Sequence, residues 1–195
     1  MTQAETRTSL GPLELAGGRW VVGDSGRPKG RWVEFRPDGL FQHEPGEKRA
    51  EGESQAQGEG EAGGLLIPWS RIMTGMRLTL GAKYPARGSY GLGGLLDGLP
   101  GPWRGHGSGY LHMTLRHPYE DWVARFHRHP RHYRGMEIVL LQALLTQVVR
   151  TDRARLLGDP EWLGRVVVRL APQRPRGLRA VERAVTAALA AEAEK

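Results

Sequence analysis

From Gly18 to His129 the chain is dominated by short runs in which apolar and polar residues alternate, each run closed by glycine or proline, and this pattern constrains its fold most. Alternation puts successive side chains on opposite faces of an extended backbone, so each run carries one apolar face that must be covered. Gly18–Val22, Arg31–Phe35 and Leu40–His43 are three such runs. The turn-rich Gly23–Gly30 separates the first two, and Arg36-Pro37-Asp38-Gly39 separates the next, which predicts an antiparallel meander. Leu65–Ile72 and Met76–Leu80 continue the pattern. Pro68 points to an edge or a bulge, because proline brings no N–H to a central ladder. Tyr110–Arg116 and Trp122–His129, flanking His117-Pro118-Tyr119-Glu120-Asp121, complete about seven strands. On the last of these, period two groups Trp122, Ala124 and Phe126 against Val123, Arg125, His127 and His129.

After Pro130 the apolar period becomes helical. Met136–Leu157 carries a broad stripe of Met136, Val139, Leu140, Ala143, Leu144 and Val148, with Gly158 as a stop. Asp159-Pro160-Glu161 supplies a capping residue, a proline at the first helical position and an acid in the first turn of a second helix. Leu178–Glu194 reads as a third, amphipathic helix. Glu44–Gly64 holds six glutamates and no aromatic or β-branched residue, and Lys83–Gly109 holds nine glycines and three prolines. Neither segment can bury much, so both are expected to be flexible loops. The fold class expected is therefore α+β: a flexible stretch over 1–17, an antiparallel barrel or sandwich with its closing helix over 18–157, and a helical extension over 158–195.

Composition narrows the function classes. With no cysteine among 195 residues, a disulfide framework, cysteine-bound zinc and thiol catalysis are excluded. Met1–Arg7 has neither a basic start nor an apolar core, and Ile138–Val149, interrupted by Gln142, Thr146 and Gln147, is far shorter than a bilayer span, so a cytoplasmic location is expected. The formal charge of +7 is unevenly placed: residues 1–115 hold 13 basic and 12 acidic side chains, residues 116–195 hold 15 and 9. Only Lys29, Lys48, Lys83 and Lys195 among the 28 basic residues are lysine. A basic half can attract nucleic acid or anionic lipid, although runs of charge more often mark a wet surface.

The meander Trp20–His43, followed by Ile67-Pro68-Trp69-Ser70-Arg71-Ile72 and Met76–Leu80, resembles the pleckstrin-homology-like domains of bacteria, in which an apolar-x-Trp-x-x-Ile stretch marks the middle of the barrel and a helix follows the final strand. The similarity covers about residues 15–157, without the tryptophan such domains carry in the closing helix. It implies a binding or scaffolding role, since such a fold seldom performs catalysis; no cofactor is expected. It also implies that a basic turn between the first two strands grips phosphates. Arg27, Lys29 and Arg31 stand in such a turn here, where arginine and lysine supply charge-assisted bonds to an anion.

Other candidates come from local composition. His127, His129 and His132 have a spacing that can bind a borderline metal, with four arginines close by to oppose it. Arg125, Arg128, Arg131, Tyr133 and Arg134 interleave guanidinium groups with an aromatic ring, a pattern that holds phosphates and stacks on bases. No hydrolase, phosphate-loop or zinc-protease motif occurs, and Ser108 beside His106 in a glycine-rich stretch sets no catalytic geometry. The apolar stripes of the last two helices can pack on the barrel, meet a protein partner or pair with a second copy.

Overall fold

The structure, a computed structural model, describes residues 9–45, 64–81 and 107–193. Two antiparallel sheets and three helices make it α+β. The first sheet is a six-stranded meander in sequence order: β1 (Ser9–Leu10), β2 (Leu13–Ala16), β3 (Arg19–Val22), β4 (Trp32–Phe35), β5 (Gly39–His43) and β6 (Gly64–Pro68). The second joins β7 (Arg77–Leu80), β8 (Ser108–Leu115) and β9 (Glu120–His127). The helices are α1 (Gly135–Arg150), α2 (Pro160–Leu170) and α3 (Leu178–Ala190).

Local turn chemistry sets the meander. Arg36 and Gly39 exchange backbone bonds across the β4–β5 turn, and Phe35 comes to lie opposite Leu40. The row Trp20, Phe35, Leu40 and Ile67 crosses four strands on the core face. Pro68 ends β6 at the sheet edge, the position its missing N–H allows. The strand expected over Leu65–Ile72 breaks there into a 3-10 turn, Trp69–Arg71, whose indole N–H donates to the Arg36 carbonyl at 2.9 Å.

The described residues form nine strands where about seven were expected. The additional pair, β1 and β2, falls where a flexible stretch was expected, and Leu13–Ala16 pairs with β3 in full register. The loops expected over 44–64 and 83–109 lie almost wholly outside the described residues, and residues 108–109 already belong to β8. The strands form two ladders and not one closed sheet. The ladders meet at two corners. At one, Ile72 bridges Leu115 and the Arg116 N–H donates to the Arg71 carbonyl at 2.8 Å. At the other, the β3–β4 turn bonds to the end of β9.

The outer edge of β7 is closed by a helix side chain. Gln142 on α1 accepts from the Leu78 N–H at 2.5 Å and donates to the Met76 carbonyl at 2.9 Å. The polar residue that interrupts the apolar run of α1 thus satisfies an otherwise open sheet edge. α1 ends at Arg150, earlier than expected, and Ala154–Gly158 forms a separate 3-10 turn. Gly158 serves close packing rather than helix termination: a Cβ there would collide with the Arg36 carbonyl.

α2 begins as expected, with the Asp159 carboxylate accepting the N–H groups of Glu161 and Trp162 at 3.0 and 3.1 Å. The residues expected as an extension share the core with the sheets, since Trp162, Leu163, Val166, Val185 and Leu189 belong to the cluster that holds Trp20 and Leu111. Trp20 reaches α2 directly, its indole N–H donating to the Pro160 carbonyl at 2.9 Å. α3 is docked: beyond its last turn the buried Glu192 carboxylate accepts from Arg165 at 2.5 Å and Arg169 at 3.2 Å, both on α2. Among the described residues no helix is long and apolar enough to cross a membrane.

Candidate functional site

The second corner gathers the sequence candidates from two separate stretches. The β3–β4 turn starts at Gly23, where φ is +100° and a Cβ would collide with Phe126 and the His127 carbonyl, so glycine alone fits. The Asp24 N–H donates to the His127 carbonyl at 2.8 Å and the His127 N–H to the Arg31 carbonyl at 2.7 Å. Inside the turn the Gly30 N–H donates to the Arg27 carbonyl at 2.9 Å, and Lys29 takes a left-handed φ of +55°. A side-chain bond adds to the clasp, because the Arg31 N–H donates to His127 Nδ1 at 2.8 Å.

That last bond fixes the imidazole chemistry. With Nδ1 accepting, the proton of the neutral ring sits on Nε2 and is available as a donor. Burial pushes the pKa of His127 below its ordinary 6.5, Arg27 and Arg31 push it the same way, and Asp24 opposes them. Two guanidinium groups therefore act on one imidazole, and the buried Nε of Arg31 has no hydrogen-bond partner among the described residues. Lys29 is exposed at the turn, while Arg27 and Arg31 are half-buried. The arrangement can present charge-assisted donors to an anion at the seam between turn and strand.

The remaining candidates separate. His129 lies past the end of β9 rather than on it, and is buried. Its Nδ1 is 2.6 Å from the Tyr133 hydroxyl and its Nε2 is 2.9 Å from Glu14 Oε1. His132 is exposed. The three histidines do not converge, and among the described residues no group of three or more histidine, aspartate or glutamate side chains could hold a metal.

The stacking ring expected in the nucleic-acid candidate is also corrected. Tyr133 is 1% exposed and shows no face to a base. Its hydroxyl accepts the His129 N–H at 2.8 Å, and burial pushes its pKa up to about 12. Arg131 donates to Glu14 at 3.3 Å and sits over the Tyr133 ring, 5.1 Å from its centroid. Arg134 is exposed at the start of α1, its N–H donating to Glu137 at 3.4 Å. Arg128 bonds the Gly107 carbonyl through its backbone at 2.8 Å, and Arg125 is exposed on β9.

Besides Glu192, two buried acids on the first sheet escape a reading of the sequence alone. Glu14 holds His129 and Arg131 as described, and Glu34, 2% exposed on β4, meets Arg19 at 3.1 Å, Arg36 at 3.2 Å and His43 at 2.8 Å. Burial alone would raise the Glu34 pKa, but the His43 bond and the two arginines outweigh it and hold it below the ordinary 4.5. The His43 ring stacks on Trp32 at 3.4 Å, and Arg36 covers Phe41 at 3.7 Å. An isolated glutamate in an alternating strand reads as solvent-facing. Only its distant partners reveal it as internal.

Three imidazoles share one direction of shift. Burial is the leading cause of the lowered pKa of His43, His112 and His127, and the arginines beside each push the same way. The unfolded chain then binds more protons than the folded one once pH drops below the ordinary 6.5, so stability present above that value declines on acidification. Glu34 adds to the loss below 4.5. Urea midpoints measured from pH 7.5 down to pH 4 are expected to fall continuously, and midpoints unchanged to pH 5 would contradict this.

No family model matches the chain, and no curated protein or solved structure matches it.

Proposed function

We propose that the chain is a binding module, not an enzyme, that takes an anionic ligand at the seam between the β3–β4 turn and the end of β9. The observation that carries this reading is the clasp itself, in which the Arg31 N–H occupies His127 Nδ1, Arg27 lies in the same turn, and the Arg31 Nε stays buried without a partner among the described residues. A ligand oxygen at the seam would satisfy that donor.

A pleckstrin-homology-like fold is part of the same reading. Counted from β3, seven strands precede α1 and the basic turn lies between the first two of them. The two ladders approach each other at both corners. The hairpin of β1 and β2 and the helices α2 and α3 are then additions to that plan.

Inorganic pyrophosphate, titrated calorimetrically at low salt, is the probe. The native chain is expected to bind it, and Arg31→Gln and Arg27→Gln to weaken binding roughly 10- to 100-fold, the loss expected for a charge-assisted bond. Arg125→Gln, on β9 outside the clasp, should leave it unchanged. No heat of binding, or equal affinity in Arg31→Gln, would sink the proposal.

A further inference from the structure

Far along the chain from the seam, the stretch from the end of α2 to the start of α3 carries both unpaired positive charge and exposed aliphatic groups. From Arg165 to Arg183 the sequence holds six arginines and one acid, Glu182. Arg165 and Arg169 are tied to Glu192, and Arg174 donates only to the Ala171 and Gln173 carbonyls. Arg176, Arg179 and Arg183 are exposed and have neither an ion pair nor a hydrogen bond among the described residues. Arg179 and Arg183 stand four apart on α3, hence on one face, with Arg176 just ahead of the helix. Of the five large apolar side chains exposed among the described residues, two lie here: Val168, 60% exposed in the last turn of α2, and Leu178, 62% exposed as the first residue of α3.

We propose that the α2–α3 corner docks on an anionic lipid surface, Arg176, Arg179 and Arg183 meeting headgroup phosphates and Leu178, with Val168, entering the interface. The charge suits an anionic partner, and the two aliphatic groups select which one. A nucleic-acid backbone offers nothing to an exposed leucine, and the aromatic residue of this region, Trp162, is buried and cannot stack on bases. Two isolated aliphatic side chains are far less than the apolar core of a protein–protein interface of about 800 Å² per partner. A bilayer surface needs only shallow insertion supplemented by basic residues.

The test is cosedimentation of the full chain with vesicles of phosphatidylcholine alone and of phosphatidylcholine and phosphatidylglycerol in roughly equal parts. Binding is expected only to the anionic vesicles, and should weaken as salt is raised. Each arginine near such a surface contributes about fivefold, so the variant combining Arg176→Gln, Arg179→Gln and Arg183→Gln should lose about 100-fold in partitioning. Leu178→Gln alone should lose about tenfold. All four positions are exposed, and an unchanged circular dichroism melt verifies that the variants fold. Absence of partitioning, or equal partitioning of the triple variant, overturns the proposal. So does vesicle binding abolished by Arg27→Gln with Arg31→Gln but not by the triple variant, which would move the lipid contact to the seam. Tight binding of duplex DNA that the triple variant loses and Leu178→Gln keeps, with no vesicle binding, would assign the corner to nucleic acid instead.

Discussion

Glu14→Ala is expected to lower folding stability by about 3 kcal/mol, read as a shift in the urea midpoint at pH 7. Glu14 is 8% exposed on β2, with one carboxylate oxygen 2.9 Å from His129 Nε2 and the other accepting from Arg131 at 3.3 Å. His129 is 4% exposed and cannot turn to water once its partner is gone, whereas the Arg131 side chain retains 28% exposure and can. Removing one member of a fully buried pair costs roughly 3–5 kcal/mol, and the escape of Arg131 places this case at the lower end. Glu14→Gln keeps an acceptor for Arg131 and should cost about half as much. Tyr133→Phe, which removes the hydroxyl that accepts the His129 N–H, should cost about 1–3 kcal/mol. A Glu14→Ala chain within about 1 kcal/mol of the native one would mean that β2 is not held through this network.

Trp20→Ala should be the more damaging substitution, at about 4 kcal/mol. The indole is 1% exposed, lies 3.8 Å from where a Gly164 Cβ would stand, and donates to the Pro160 carbonyl, so it fastens β3 to α2 through both packing and a hydrogen bond. Truncation leaves a large cavity and removes the indole bond to α2 at once. Trp20→Phe keeps much of the ring and should cost less. Because α2 and α3 share one core with the sheets, calorimetry of the native chain should show one transition. Separate melting of the helices, with Trp20→Ala affecting only the sheet transition, would contradict a common core.

Legibility in the sequence follows the range of the interactions. The meander from Trp20 to His43 and the start of α2 at Asp159-Pro160-Glu161 rest on turn and capping chemistry within a few residues, and both are where the sequence places them. The strand Leu13–Ala16 is invisible locally, because four residues between Pro12 and a glycine pair become a strand only by pairing with β3. Tyr133 reads as an exposed ring among arginines. Its burial depends on His129 and on an acid network in which Arg131 reaches back 117 residues to Glu14. The basic turn at Arg27–Arg31 is legible as composition, but its partner His127 is 96 residues away, and alternation along β9 gives no hint that its main chain clasps that turn. Short-range rules thus identify which groups are present, and long-range pairing decides which of them meet.

Amide chemical shifts recorded during a pyrophosphate titration test the seam directly. Asp24, Arg31 and His127, whose N–H groups form the clasp, should show the largest saturable shifts, together with the Arg31 Nε–H resonance, while any shifts on α3 stay small and unsaturated. Shifts that never saturate, or that centre on α3 with the clasp silent, would contradict an anion site between the β3–β4 turn and β9.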